Sequence, residues 1–440
     1  MSTQEYDLTG IGIGPSNLSL AALLAPISRV RAHFFERRAA FGWHPGMMLP
    51  GTEMQTSFLK DLVTPVDPAS PFGFLSYLVA KGRFYRFVNA DFSRVRRAEF
   101  ADYLRWVADQ LPSLSFSHEV REVIHDEDGF VISFADGKKA RSRHLVVATG
   151  LAPHVPPWAR WHLGQDCVHS HAYLEAPLHV EGRRVLVVGG GQSGAEIFLD
   201  LLSGRRGSAA EVSWVTRRQN LEPLDETPFT NEYFTPDYVR TFRRLPADKR
   251  RALVDAQKLT GDGISPETLR SLSQALYECD FLGASCVSHR ILPYREVRLL
   301  RREHGVFHAV MHNGLSQTEE HLSADVVVLA TGYQSALPGC MEPLGSQVAR
   351  DPDNQLILAE DYSIAWDGAP SHRIYMQNAG RHSHGVADAQ LSLAAWRSAV
   401  IVNSLLESEI YPTAPCASPV RWCGSGDEAW TPSTAGTLLS

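Results

Sequence analysis

Six cysteines in 440 residues (Cys167, Cys279, Cys286, Cys340, Cys416 and Cys423), none in a C-x-x-C pair, leave no zinc ribbon and no dithiol redox centre to be read from spacing. Reduced thiols in a cytoplasmic protein are the simplest expectation. No window reaches the ~18 uninterrupted apolar residues of a membrane span. No basic stretch followed by a long apolar run precedes the strand-like segment that opens at Tyr6, so no signal peptide is read. A basic surplus is also lacking. The formal charge is -7, which gives no footprint for nucleic acid.

What is present is ordinary globular material: 44% hydrophobic, 21% charged and 9% aromatic residues. At this length more than one core is expected, because single cores stop growing near ~250 residues. An apolar run from Tyr6 to Ile13 ends in glycines, a helix-like stretch covers Asn17 to Leu24, and Arg31 to Glu36 reads as a second strand. The same β-turn-α-β order recurs at Arg184, with the strand Val185–Val188, glycines 189–191, a helix from about Ser193 to Leu202 and a strand from Val212 to Thr216. Two β-rich runs close on Ala-Thr-Gly, at Leu145–Gly150 and Val326–Gly332. Residues 223–285 carry helical periodicity, and from Tyr411 the chain turns rich in Pro, Ser, Gly and Thr, the composition of a loosely ordered tail.

The first glycine loop reads Gly12-Ile-Gly14-Pro15-Ser-Asn17 between a strand and a helix. Small residues let the backbone approach a pyrophosphate, and the helix N-terminus offers it unpaired N–H groups and a positive dipole end. Asn17 stands where a third glycine is usual, and Glu36 ends the next strand, where a carboxylate accepts from ribose hydroxyls. The second loop reads Gly189-Gly190-Gly191-Gln192-Ser193-Gly194, and its following strand ends in Arg217-Arg218. An acid there would repel the 2′-phosphate of NADPH, whereas arginine forms charge-assisted bonds with it, so NADPH is expected over NADH. Two dinucleotide sites in one chain imply electron transfer from nicotinamide to a held flavin. A disulfide reductase would need an adjacent cysteine pair, so oxygen is the expected acceptor. The predicted fold class is α/β, with two Rossmann-like dinucleotide-binding domains and a small, mainly helical substrate segment. Expected boundaries are 1–165 with 325–410 for the FAD domain, 166–324 for the NADPH domain including the helical segment 223–285, and 411–440 for the tail.

Five further strings carry a resemblance: Gly12–Asn17; Trp43-His44-Pro-Gly-Met47; Met54-Gln55-Thr-Ser-Phe-Leu-Lys60-Asp-Leu62; Asp325 through Leu329-Ala-Thr331-Gly332-Tyr333 to Pro338; and His382-Ser-His-Gly385 through Leu391-Ser392-Leu393 to Trp396-Arg397. Across roughly residues 5–410 the chain resembles the lysine/ornithine (and diamine) N-monooxygenases of hydroxamate siderophore biosynthesis. The resemblance implies that NADPH reduces FAD, that oxygen adds to the flavin as a C4a-hydroperoxide, and that a small primary amine attacks the distal oxygen. It places Gln55 beside the flavin, Lys60 against a substrate carboxylate, Asn231 near substrate and nicotinamide, and Ser392 close to the reacting amine. It further implies cofactor contacts from Gly12, Gly14, Pro15, Asn17, Glu36, Trp43, His44, Gly189, Gly191, Gln192, Ser193, Arg217, Thr331, Gly332, Tyr333 and Leu391. No metal is expected, since His44 lies far from the His382-x-His384 pair and no carboxylate sits at a ligand spacing. A cytoplasmic homo-oligomer, with a tetramer as one form, is implied as well.

The substrate range stays open. Thr260-Gly-Asp-Gly-Ile264 stands where ornithine enzymes carry Asn-Tyr-Ser, and it is similar to the lysine and diamine branches. Lysine, putrescine and cadaverine lead, with ornithine as the alternative. A sulfur- or carbonyl-oxidising flavin monooxygenase is the other alternative, but its aromatic-x-Gly-x3-His string is only echoed at Gly164–His169, off by one residue.

Overall fold

The computed structural model describes residues 4–283, 287–414 and 418–422. Its first sheet has seven strands. The strand Gln4–Ile11 lies parallel between Ala32–Phe35 and Lys139–Val147, and Ile374–Met376 adds in parallel to the far half of Lys139–Val147. The near half of that strand instead carries an antiparallel ribbon, Gly129–Phe134 and Val120–Asp126. Helix Pro15–Leu24 is buried on nearly every side. It packs in one core with Phe100, Tyr103 and Leu104 of helix Arg97–Ala108 and with Ala399, Ile401 and Val402 of helix Ala394–Leu406. A helix enclosed all round needs apolar or small residues on all faces, and Leu-Ser-Leu-Ala-Ala-Leu-Leu supplies them.

The second sheet is parallel throughout, in the order Ser288–Leu292, Glu211–Val215, Arg184–Val188, Val326–Leu329, Cys167–His169. Strands covered on both faces read as unbroken apolar runs, and Val185 to Val188 and Val326 to Leu329 do so. The boundary expected at 325 is corrected here. Val326–Leu329 pairs with Arg184–Val188 on one side and Cys167–His169 on the other, so it belongs to the second sheet. The chain leaves that sheet only past Ala-Thr-Gly, where Tyr333–Gln334 pairs with Ala152–Pro153. A three-stranded antiparallel sheet, Arg295–Glu303, Val306–Asn313 and Thr318–Ala324, covers one side of the second sheet.

The segment expected to be helical is built of helices Pro236–Arg244, Ala247–Ala256, Leu259–Asp262 and Pro266–Phe281 after a single 3-10 turn, Thr230–Phe234. Two of these helices start on textual signals: Thr235 and Ser265 accept from the N–H three residues on, and proline follows each. Each such cap contributes about 1 kcal/mol. The tail is not loose throughout. Trp422 packs edge-on against Tyr238 at 4.7 Å. Residues 423–440 lie outside the described residues. Cys279 is disulfide-bonded rather than reduced, and a bridge outside the C-x-x-C spacing leaves no mark in a sequence; Cys167 and Cys340 are free.

Candidate functional site

Gly12 ends the first strand at φ +86°, and a Cβ there would sit 2.8 Å from the carbonyl oxygen of Ala148. Gly14 caps helix Pro15–Leu24 with no side chain bonded to the helix N–H groups, and Pro15 takes the first position. The N-terminal donors therefore remain available to an anion. Asn17 is fully buried: its Nδ2 donates to the Gly12 carbonyl at 2.8 Å, and its Oδ1 accepts from Gln377 at 2.9 Å. It braces the loop from inside, which explains why an amide stands in the place of a glycine. Glu36 accepts from Ile13 N at 3.0 Å and from Arg38 N at 3.0 Å, so the carboxylate sits at the loop's edge. Trp43 packs edge-on against Phe100 at 5.8 Å, and His44 next to it is exposed with φ 45°.

The second loop is tighter. A Cβ on Gly189 would meet the Ala330 carbonyl oxygen at 2.0 Å, on Gly190 the Thr216 hydroxyl at 2.2 Å, and on Gly194 the Gly189 carbonyl oxygen at 2.2 Å. Gly191 caps helix Gln192–Leu202, again with no side-chain cap, and Ser193 lies in its first turn. Gln192 is already engaged: Nε2 donates to Glu196 and Thr268, and Oε1 accepts from Ser265 N at 2.7 Å. Arg217 is exposed and has no partner among the described residues, whereas Arg218 donates to the Asp262 carbonyl at 2.9 Å. Of the two arginines, Arg217 is the one free to meet a phosphate. Both loops thus fit a dinucleotide: no room for side chains, open helix N-termini, and the expected acid or base beyond.

At the crossover, the Thr331 hydroxyl donates to the His154 carbonyl at 2.6 Å, and Gly332 (φ +84°) offers its carbonyl to His154 N and to the His169 ring. The His169 ring also accepts from His171 N and stands edge-on to Tyr333. Burial holds His169 at a pKa of about 4, so the ring is neutral at pH 7.

Between the two units lies a cavity of about 250 Å³ whose lining includes Gln55, Lys60, Asn231 and Ser392 together. These residues come from three separate stretches of chain. Gln55 Nε2 and Ser392 Oγ are buried with no hydrogen-bond partner among the described residues, an arrangement that is costly unless a bound group completes it. Lys60 makes no hydrogen bond or ion pair among the described residues; burial pulls its ammonium below the usual lysine pKa, and the Glu232 carboxylate works against that. Leu391, just before Ser392, packs on the first core. A larger cavity of about 740 Å³ shares Gln55 and Arg94 with the small one and runs along Gln192 and Thr268. Sequence reading missed Arg94, which lines both cavities and pairs with Glu226 at 2.6 Å across 132 positions of chain. It also missed Gln390, whose only textual signal is its nearness to Ser392. Asp225 lines the small cavity and accepts from the Thr230 hydroxyl at 2.6 Å.

A sequence profile described as L-lysine 6-monooxygenase/L-ornithine 5-monooxygenase matches residues 4–335. The chain belongs to that family. The L-lysine N6-monooxygenase of Escherichia coli is 40% identical over 422 residues, 95% of this chain and 99% of the relative. Among solved structures, the FAD-bound cadaverine monooxygenase of the desferrioxamine pathway from Erwinia amylovora superposes with a TM-score of 0.89 at 29% identity, covering 97% of this chain and all of that one. The ornithine N-hydroxylase of Kutzneria sp. 744, solved with reduced FAD, NADP⁺ and L-ornithine, gives 0.84 at 30% identity over 92% of this chain and 99% of that one. The protein is accordingly an NADPH-dependent flavin N-monooxygenase with two Rossmann-type domains, using FAD and NADPH as cofactors. No helix among the described residues is long and apolar enough to cross a membrane. No group of three His, Cys, Asp or Glu among them could hold a metal ion.

Proposed function

We propose that this monooxygenase hydroxylates the side-chain nitrogen of L-lysine, with O2 as oxidant, in hydroxamate siderophore biosynthesis. The observation that carries the reading is Lys60: a part-buried ammonium with no ion-pair partner among the described residues, in the cavity that also holds Gln55, Asn231 and Ser392. A compact cation of this kind suits the α-carboxylate of an amino acid. Glu226, the acid that would otherwise attract a second ammonium, is already neutralised by Arg94. Asp225 favours a diamine as the second reading, because its carboxylate lines the same cavity and is spent only on a hydroxyl.

When bound, FAD reduced by NADPH activates oxygen and supplies one atom of it to the amine nitrogen. The chain's own residues do the rest. Lys60 holds one end of the substrate, fixing how far the other end reaches. The Gln55 amide donor and the Ser392 hydroxyl bond the reacting groups, satisfying polar atoms that are otherwise orphaned. The amine reacts only as the neutral base, although free alkylamines have a pKa near ~10, so an enclosed site that disfavours the ammonium assists it. Arg217 takes the 2′-phosphate of NADPH. Cytoplasmic action fits the need for NADPH. Association into a homo-oligomer is part of the proposal and is supported by the exposed apolar side chains of Val79, Tyr85 and Val88 on neighbouring helices.

The test is hydroxylamine formation by the FAD-loaded protein with NADPH and lysine, ornithine, putrescine or cadaverine. Lysine should give the highest kcat/KM, and Lys60→Ala should weaken lysine by about 1–3 kcal/mol, roughly 5- to 150-fold, while sparing cadaverine. An unchanged lysine KM in Lys60→Ala removes the carboxylate role.

A further inference from the structure

Past helix Ala394–Leu406 the chain turns back over the substrate segment. Asn403 fixes the turn: its Oδ1 accepts from Ile410 N and Tyr411 N, and its Nδ2 donates to the Tyr411 carbonyl at 2.8 Å. The Thr413 carbonyl then accepts from Arg240 at 2.6 Å and from Trp396 Nε1 at 3.3 Å. Arg240 lies on helix Pro236–Arg244 and Trp396 on helix Ala394–Leu406. One backbone oxygen thus joins two helices from different parts of the chain, and each is preceded by a cavity residue, Asn231 in the first case and Ser392 in the second. Farther on, the Ser418 hydroxyl donates to Glu232 Oε2 at 2.7 Å. The Trp422 ring lies 4.7 Å from Tyr238 and 5.4 Å from Tyr233.

Glu232 is next to Asn231, and it is the acid whose field reaches Lys60. The two do not close into an ion pair among the described residues, and Lys60 is left for the substrate. We propose that residues 411–414 and 418–422 form a strap that sets the amine site, with Ser418 positioning Glu232 and, through it, the ammonium of Lys60. The strap's role at Lys60 rests on the lysine reading given above. A Glu232 carboxylate held by the Ser418 hydroxyl does not take the place of the substrate carboxylate at Lys60. Without Ser418 the carboxylate is free to swing onto Lys60 and compete. Trp422 acts differently: its ring covers Tyr233 and Tyr238 and so holds the turn that bears Asn231.

The experiment is a KM-against-kcat comparison on full-length, FAD-loaded Ser418→Ala, Trp422→Ala, Trp422→Phe and Lys60→Ala, with lysine and cadaverine. Ser418→Ala should raise the lysine KM about five-fold, the loss of roughly one hydrogen bond's worth of positioning, with kcat within two-fold and the cadaverine KM unmoved. Trp422→Ala should raise the KM of both amines, and Trp422→Phe should recover most of that rise. If Ser418→Ala leaves the lysine KM unchanged while Lys60→Ala raises it, the strap's link to Lys60 is overturned and the lysine reading stands. Equal rises for lysine and cadaverine in Ser418→Ala overturn the route through Glu232. If Lys60→Ala has no effect, the lysine reading falls, and Trp422→Ala decides the strap by itself: an unchanged KM for cadaverine overturns it.

Discussion

The contact between the two domains that is most open to measurement is the pair Arg97–Glu196. Arg97 starts helix Arg97–Ala108, which packs in the first core, and Glu196 lies on helix Gln192–Leu202 behind the second glycine loop. The pair is bidentate, with Nη1 to Oε2 at 2.9 Å and Nη2 to Oε1 at 2.7 Å, and the side chains are 17% and 5% exposed. Replacing Glu196 with alanine strands a guanidinium that keeps only the Glu53 carbonyl, at 3.1 Å, as acceptor. Replacing Arg97 with alanine strands a carboxylate that keeps only the Gln192 amide. Breaking one side of a largely buried pair costs about 3–5 kcal/mol, and the remaining neutral partners put both variants at the low end, about 3 kcal/mol. Removing both charges leaves nothing stranded, so the double variant should lose only about 3–4 kcal/mol, a coupling of about 2–3 kcal/mol. In melting temperature, that is roughly 6–12 °C for each single variant and little more for the double. Thermal unfolding of the four proteins at fixed FAD concentration measures it. A double variant that loses the sum of the singles would refute the reasoning, because the charges would then be solvated independently.

Arg217→Ala should raise the NADPH KM by about ten-fold or more through loss of a charge-assisted bond, leaving NADH nearly unchanged; equal losses for both would take Arg217 off the phosphate. Gly189→Ala should cost about 3 kcal/mol or more, since its Cβ would enter the Ala330 carbonyl at 2.0 Å with φ +128°, while Gly164→Ala meets nothing within 4 Å and should stay within about 0.5 kcal/mol by urea unfolding. Acid should destabilise the fold. Burial keeps His144 and His169 at about 4, below the unfolded value near ~6.5, so their contribution is complete above pH ~6.5 and is lost as pH falls toward 4, when only the unfolded chain takes up the protons. The loss is roughly 2 kcal/mol each by pH ~4.5, and a flat unfolding free energy from pH 6.5 to 4.5 would contradict it.

The glycine loops were legible because backbone sterics act locally: a residue that must take positive φ, or sit 2 Å from a neighbouring carbonyl, has to be glycine wherever the rest of the chain lies. The caps at Thr235 and Ser265 act over the same short range, within the segment whose helical periodicity was legible. The role of Asn17 was not, because its partner Gln377 is 360 positions away. Val326–Leu329 was credited to the wrong domain because an apolar run does not name the sheet it joins.

By itself, then, the sequence determined the α/β class with two Rossmann-type domains, the glycine-tight turns after two of its strands and, through its family strings, the N-monooxygenase chemistry with FAD and NADPH. Only the tertiary structure decided which polar groups share the cavity, that Lys60 enters it with no ion-pair partner among the described residues while Arg94 and Glu226 cancel each other, and that part of the tail returns to hold Glu232. The physical reason is one of range. Backbone geometry and capping are settled within a few residues, whereas whether a charge is paired, buried or free depends on neighbours that the chain delivers from hundreds of positions away.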